Sequence, residues 1–486
     1  MTCIFITFLS CLVSVAVLGK SSRPNIIFLL TDDQSSYSLS CYGNKDVKTP
    51  HIDSLASDGM AFDHHYDTTA ICMASRANVM TGLYEYRHGC NFEHGPLTQK
   101  LWETSYPIRL RQSGYLTAFA GKFGFEVRKG TEKGHKYLPE DDFDKWGGGP
   151  GQTNYATVKN RSMKAYAKNY PHSSRSYGAF GSDFVRESAK SHKPFCLSIS
   201  FKAPHKPDQP DPLFDKVYKG KKFTKPPNYG REYGKHFSFQ SKQGRQYERF
   251  VSWGYRDRYD EVMAIYHQMV HGVDSAVGMI RAAVKEAGVA DNTVFIFTSD
   301  NGFMCGSHGY GSKVLPYEES TNVPLIIYDP RHAISSENLR SNALTANIDM
   351  APTILDLAGL DVPTEMDGVS LLPLLTNPHV MVRESAALIN VWGPKAAHSY
   401  GVVTKDYKYI YWPYEAGVNF EPTEELYDLA KDPHELTNLA SLKGEGLKQM
   451  RAVYDEAVEA WKRKGVDYNG YKQYGEIFDR TVPWNP

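Results

Sequence analysis

Short apolar runs alternate with helix-like segments along much of this chain. Pro24 to Thr31 encloses the run Ile26-Ile27-Phe28-Leu29-Leu30, bounded by polar residues, as a strand buried on both faces would be. It ends in Asp32-Asp33. Thr49-Pro50-His51-Ile52-Asp53-Ser54-Leu55-Ala56 then supplies an N-cap, a proline at the first helical position and apolar spacing, until Gly59 stops the helix. The same grammar predicts a helix over 103–113, strands over 115–120 and 194–201, a long helix over 257–286, and a strand over 293–298 that runs into Ser299-Asp300-Asn301-Gly302. Such alternation predicts an α/β fold, a largely parallel sheet flanked by helices.

Between about 125 and 255 the pattern loosens into stretches such as Gly147-Gly148-Gly149-Pro150 and Lys225-Pro226-Pro227-Asn228, read as long functional loops. Asp349 to Gly359 reads as a capped helix, and Met366-Asp367-Gly368 as a turn out of the main domain. Strand-like runs at 385–391, 399–404, 407–412 and 425–429 precede an amphipathic helix over 444–463. These predict a smaller antiparallel sheet with one covering helix. The expected division is a leader over 1–19, a catalytic domain over 20–378 and a C-terminal α+β subdomain over 379–486; no internal repeat is evident.

Composition narrows the function. The 486 residues exceed what one compact core usually supports. Lys+Arg and Asp+Glu both number 55, so the basic excess of a nucleic-acid binder is missing, and the Lys patch at 216–225 reads as a solvated loop. The apolar start, ending in small residues around Ala16 to Gly19, reads as a signal peptide and implies export, periplasmic or secreted; a retained anchor is the alternative. Without it five cysteines remain, Cys41, Cys72, Cys90, Cys196 and Cys305, an odd number that leaves at least one thiol without an internal partner. Cys72 is the candidate for that thiol, and the other four allow three disulfide connectivities or none.

In open parallel sheets ligands bind beyond the carboxyl ends of the strands, and two strands here end in acidic clusters, Asp32-Asp33 and Asp300-Asn301. Three carboxylates and an amide oxygen converging on one point would repel one another unless a hard dication sat between them, and an all-oxygen set suits Ca2+, or Mg2+ as second choice, over zinc. Turn formation and helix capping by the same residues is the plainer reading of either pair alone.

The segment Thr68-Thr69-Ala70-Ile71-Cys72-Met73-Ala74-Ser75-Arg76, followed by Thr81-Gly82, resembles the modification motif of the formylglycine sulfatases, C-x-P/A-S-R before a helix ending in Thr-Gly. Further matches stand in that family's order: Thr49-Pro50-His51-Ile52-Asp53, Gly121-Lys122, Ala203-Pro204-His205, Ser299-Asp300-Asn301-Gly302, Gly306-Ser307-His308-Gly309, Lys313, Tyr317-Glu318-Glu319-Ser320 and Leu426-Tyr427-Asp428-Leu429. The resemblance implies an alkaline-phosphatase-like fold and hydrolysis of a sulfate ester. It implies that a formylglycine-generating enzyme oxidises Cys72 to formylglycine (3-oxoalanine), whose hydrated aldehyde, held on Ca2+, attacks sulfur through one hydroxyl while the second later expels sulfate. By the same resemblance Asp32, Asp33, Asp300, Asn301 and residue 72 ligate the metal. Arg76 holds the hydrated aldehyde, Lys122 and Lys313 bind sulfate oxygens, and His205 protonates the leaving oxygen.

This chain departs from the pattern at two places. Ala74 stands where proline is commoner, and Gly121-Lys122-Phe123-Gly124 stands where many sulfatases carry Gly-Lys-Trp-His, so a histidine that assists residue 72 is replaced by Gly124. His308, His64 or His65 are the candidates to take its place, with His308 alternatively a structural turn residue. A sulfated carbohydrate is the expected substrate, from export and aromatic-rich loops. Two other readings stay open: a phosphate or phosphonate ester hydrolase of the same superfamily, and a non-catalytic relative that binds sulfated glycans. Sequence leaves the sugar, the sulfate position, endo or exo action, oligomeric state and glycosylation at Asn160-Arg161-Ser162 undecided.

Overall fold

The computed structural model describes residues 23–130, 134–332, 338–413 and 421–482. The leader read over 1–19 lies outside the described residues. Among those described, no helix is long and apolar enough to cross a membrane.

Eight strands form the main sheet: β1 (Asn25–Asp32), β2 (Met60–Tyr66), β3 (Leu116–Lys122), β4 (Lys145–Gly149), β5 (Phe195–Pro204), β6 (Thr293–Ser299), β7 (Leu325–Tyr328) and β8 (Leu339–Ala346). Their order is β8-β2-β7-β6-β1-β5-β3-β4, and every pair is parallel except those made by β7. β1 is buried along its whole length. Its Ile27 and Leu29 join the core under helices α1 (Pro50–Asp58), α4 (Ser173–Ala189) and α5 (Tyr259–Glu286), whereas Ile26, Phe28 and Leu30 join the core under α2 (Cys72–Thr81), α3 (Tyr106–Gln112) and α6 (Met350–Leu357). An unbroken apolar run is what a strand covered on both faces requires.

Besides the expected strand β5, the stretch read as loops over 125–255 contains one long helix, α4, and a further strand of the main sheet, β4. The helix escapes a pattern search because its sequence, SSRSYGAFGSDFVRESA, is rich in Ser and Gly, which are poor helix formers. Close packing is the reason for them. A β-carbon on Gly178 would lie 3.0 Å from Ala276 Cα on α5, and one on Gly181 would lie 3.1 Å from Ile280 and Leu197.

The C-terminal sheet is antiparallel in the order β9 (Ala386–Asn390), β10 (Ser399–Val403), β11 (Tyr407–Trp412), β12 (Thr423–Asp428). Helix α7 (Glu445–Lys464) covers it with Leu447, Met450, Tyr454, Val458 and Trp461, spaced three and four apart on one face. Buried Lys408 on β11 ties this sheet to the short helix Glu318–Thr321 that precedes β7, with Nζ 2.7 Å from Glu318 and 2.8 Å from Glu435. Cys41, Cys72, Cys90, Cys196 and Cys305 are all free thiols, so none of the three possible pairings forms.

Candidate active site

Sheet order alone gathers the expected residues along one edge. Thr31 and Ser299 are register partners on β1 and β6, so Asp32 and Asp300 leave the sheet side by side. On the other flank Asp32 pairs with Pro204 on β5, which delivers His205. Gly121 and Ser200 pair between β3 and β5, and Lys122 with Gly149 between β3 and β4, which adds Lys122 and Gln152 to the same edge. Cys72 enters from another direction, as the first residue of α2, a helix buried on every side. A helix N-terminus favours negative charge there.

The cluster is packed with charge. Arg76 donates from Nε to Asp300 Oδ2 at 2.8 Å and from Nη1 to the Lys122 carbonyl at 2.7 Å and to Ser200 Oγ. Its Nη2 is 2.7 Å from the same Asp300 oxygen, at an angle too poor for a hydrogen bond. Lys122 Nζ lies 2.5 Å from Asp32 Oδ2; Lys313 Nζ contacts Asp33 Oδ1, 3.7 Å from Asp32 Oδ1 and 3.6 Å from Cys72 Sγ. Asn301 Nδ2 donates to Asp33 Oδ1 at 2.8 Å, and His205 Nε2 is 3.8 Å from Asp33 Oδ2.

Burial would raise the Asp32 carboxyl, but Lys122, His205, Lys313 and Arg76 outweigh it and hold Asp32 well below the usual range. Asp300 goes the other way: burial, then repulsion from Asp32, raises it to about 6 against the pull of Arg76, Lys313 and Lys122. For Lys313, burial opposes the charge, yet Asp33, Cys72, Asp32 and Asp300 keep the ammonium far above its ordinary value. His205 is lowered, chiefly by burial, which exceeds the opposing effect of Asp32 and Asp33.

A dication fits the residues present. Asp32 Oδ1 and Asn301 Oδ1 are buried and accept no hydrogen bond, leaving two hard oxygens open within the carboxylate cluster. Ligand atoms of Asp32, Cys72 and Asp300 all fall within 4.8 Å of one another, as do those of Asp32, Asp33 and His205.

Two of the three alternative histidines, His308 and His65, have other partners, while the buried Nδ1 of His64 has no hydrogen-bond partner among the described residues. His308 is buried against Asn228, whose Nδ2 lies 2.8 Å from Nε2, and its Nδ1 meets the Tyr233 carbonyl at 2.9 Å, with Glu319 3.7 Å away. His65 is buried in β2 beside Thr345 Oγ1, with its pKa pushed down by burial to about 3; His64, next to it, is half-buried. Besides Lys313, Asp32 and Asp300, Gln152 reaches residue 72, with Nε2 4.0 Å from Sγ. Buried Lys202 holds that loop by donating to the Gln152 carbonyl at 3.0 Å. Sequence reading missed both. For Lys202 a signal existed, since Ser200 and Lys202 are same-face positions near the end of a strand that leads to His205. Gln152 follows a glycine-rich strand and carries no local signal.

A mainly parallel sheet with acids and cations gathered at its carboxyl edge defines an alkaline-phosphatase-like ester hydrolase. The sequence model described as Sulfatase matches residues 24–360, and one described as N-sulphoglucosamine sulphohydrolase, C-terminal, matches residues 306–464. The chain therefore belongs to the type I sulfatase family, and it is a sulfuric ester hydrolase. Among its relatives, an N-acetylglucosamine-6-O-sulfatase of Bacteroides thetaiotaomicron is 27% identical, covering 91% of this chain and 87% of the relative. The human N-acetylglucosamine-6-sulfatase is 28% identical over 79% of this chain and 70% of its own length. A protein solved in complex with its substrate D-glucosamine-2-N,6-O-disulfate superposes with TM-score 0.76 at 25% identity, covering 92% of this chain and all of the other. A phosphonate monoester hydrolase of Agrobacterium radiobacter shares the fold at TM-score 0.69 and 22% identity, covering 91% of this chain and 96% of its own.

Proposed function

We propose that this chain is an exported sulfatase that removes sulfate from a sulfated glucosamine-type carbohydrate, through formylglycine at position 72 and Ca2+. The observation that carries the reading is the convergence of Asp32, Asp300, Lys313 and Cys72 at one point, with Lys313 Nζ 3.6 Å from Cys72 Sγ and two carboxylate or amide oxygens left open. The glucosamine part rests on what the relatives are named for and on the disulfated sugar bound in the structural neighbour.

Asp32, Asp33, Asp300 and Asn301 would hold the calcium ion, which supplies positive charge against the sulfate oxygens and orients residue 72. The aldehyde that a formylglycine-generating enzyme makes from Cys72 supplies, once hydrated, the attacking hydroxyl. The remaining work falls to side chains. An ammonium has three donors, and Lys122 and Lys313 each retain some beyond their carboxylate contacts, enough to bind sulfate oxygens as charge develops on them. Arg76, pinned by Asp300, the Lys122 carbonyl and Ser200, fixes that wall of the pocket. His205, partly open to solvent while its neighbours are buried, is the group available to give a proton to the departing sugar oxygen.

The test is sulfate release by formylglycine-bearing protein from a panel of sulfated monosaccharides and disaccharides. The highest kcat/KM is expected on a 6-sulfated glucosamine. Hydrolysis of a phosphonate monoester with no sulfate released from any sugar would favour the phosphoryl alternative instead.

A further inference from the structure

Two arginines beside the site pair with no carboxylate among the described residues. Arg245 and Arg249 sit one turn apart on the helix Arg245–Ser252, and among the described residues their side-chain contacts are to Ser312 and to aromatic rings, with no carboxylate in ion-pair distance. Aromatic rings seat them instead: the Arg249 guanidinium lies 4.3 Å from the Trp253 ring centre, and that of Arg245 lies 5.7 Å from Trp392. Both lead back to the reaction centre. Arg249 Nη1 donates to Ser312 Oγ at 2.7 Å, the residue before Lys313. Trp392 packs on Ile71, Ala74 and Val314, which flank Cys72 and Lys313. Arg249 is held half-buried where the charge of Arg245 opposes its own and that of Asp33 supports it.

Two like charges one helical turn apart, with no carboxylate beside either, repel each other, and an anion set between them relieves that repulsion. We propose that Arg245 and Arg249, seated on Trp392 and Trp253, form a second anion site at the mouth of the pocket. It takes a carboxylate or a non-scissile sulfate on the same glycan while the scissile sulfate sits at residue 72. The substrate class is then a sugar with at least two anionic groups. The proposal rests on the sulfatase reading and refines its substrate. Planar guanidiniums suit sulfate and carboxylate oxygens alike, and the flanking indoles offer faces for the sugar ring.

The experiment compares kcat/KM on three substrates with formylglycine-bearing protein: a monosulfated N-acetylglucosamine, the same sugar with a second sulfate, and the same sugar linked to a uronate. The ratio of doubly to singly anionic substrate should fall about tenfold in Arg245→Gln and further in the Arg245→Gln, Arg249→Gln double variant, through KM. Arg245→Lys should retain most of the ratio, and added salt should lower it in the wild type. A fall confined to the second sulfate, or to the uronate, identifies which anion the site takes. A ratio moved by less than about twofold, or equal losses on all three substrates, would overturn the proposal. Arg245 is exposed, so its variants should fold even if Arg249→Gln does not. Should the wild type release sulfate from none of the three, the sulfatase reading fails, and calorimetry with the same sugars still decides the arginine site. Weaker binding of the doubly anionic sugars by Arg245→Gln supports it, and equal binding refutes it.

Discussion

A β-carbon on Gly124 would lie 2.3 Å from Arg76 Cδ, and Gly124 itself holds φ at +92°. The two residues are fitted to each other. Arg76 cannot retreat without giving up Asp300, Ser200 and the Lys122 carbonyl. Restoring the histidine that many sulfatases carry here, Gly124→His, should therefore lower kcat by on the order of 10²-fold instead of raising it, because it strains the backbone and displaces Arg76. Steady-state kinetics with the melting temperature decide this, and an improved kcat would show that Arg76 has room to move.

Asp300→Ala removes a proposed metal oxygen and the carboxylate that anchors Arg76. Calcium affinity measured by calorimetry should fall by about 10²-fold or more. Asp300→Asn keeps an acceptor for Arg76 and should lose less. Undiminished calcium affinity in the alanine variant would remove Asp300 from the ligand set.

His205→Ala separates substrates by their leaving groups. A sugar hydroxyl leaves poorly and needs its proton, whereas an aryl sulfate departs as phenolate with little help. General acid assistance is worth about 10²–10⁴ in rate, so the sugar substrate should suffer that much and the aryl sulfate far less. Equal losses on both would exclude His205 as the acid.

His88 makes the fold sensitive to acid. Its Nδ1 accepts from Cys90 N at 3.0 Å and its Nε2 donates to Asn78 Oδ1 at 2.6 Å, so a second ring proton would displace the Cys90 amide. Burial pushes its pKa down to about 3. A histidine depressed in the folded state contributes stability that is present above its unfolded value and lost as pH falls through the window from about 6.5 toward 3. Between pH 7 and 5 the wild type should lose about 2 kcal/mol more than His88→Gln in reversible chemical unfolding. Parallel pH profiles would contradict this.

The apolar run of β1, the capped helix α1 and the strand ending at Ser299 were readable because each carries its own period and punctuation. The acids at strand ends were readable for the same reason, since a parallel sheet brings such ends together. Strand β2 was not, because its residues Met60-Ala61-Phe62-Asp63-His64-His65-Tyr66 put polar groups in a strand whose partners, β7 and β8, lie far along the chain. Helix α4 was hidden by the small residues its packing demands. Gln152 and the pairing of Arg249 with Ser312 are products of tertiary contact alone. The surroundings of Asn160 carry no local signal either: it is buried, with Oδ1 accepting from Asn154 N at 2.8 Å and Nδ2 donating to Asn154 O at 2.7 Å.

The chemical state of residue 72 decides the mechanism. Intact and peptide mass spectrometry of protein made with a formylglycine-generating enzyme should find the aldehyde there, and direct measurement of sulfate released from a sulfated glucosamine should show turnover in that material and none in Cys72→Ala. A thiolate attacking sulfur has no second hydroxyl with which to expel sulfate, so protein retaining the thiol should stall. Full sulfate release by protein shown to carry unmodified Cys72 would contradict the mechanism.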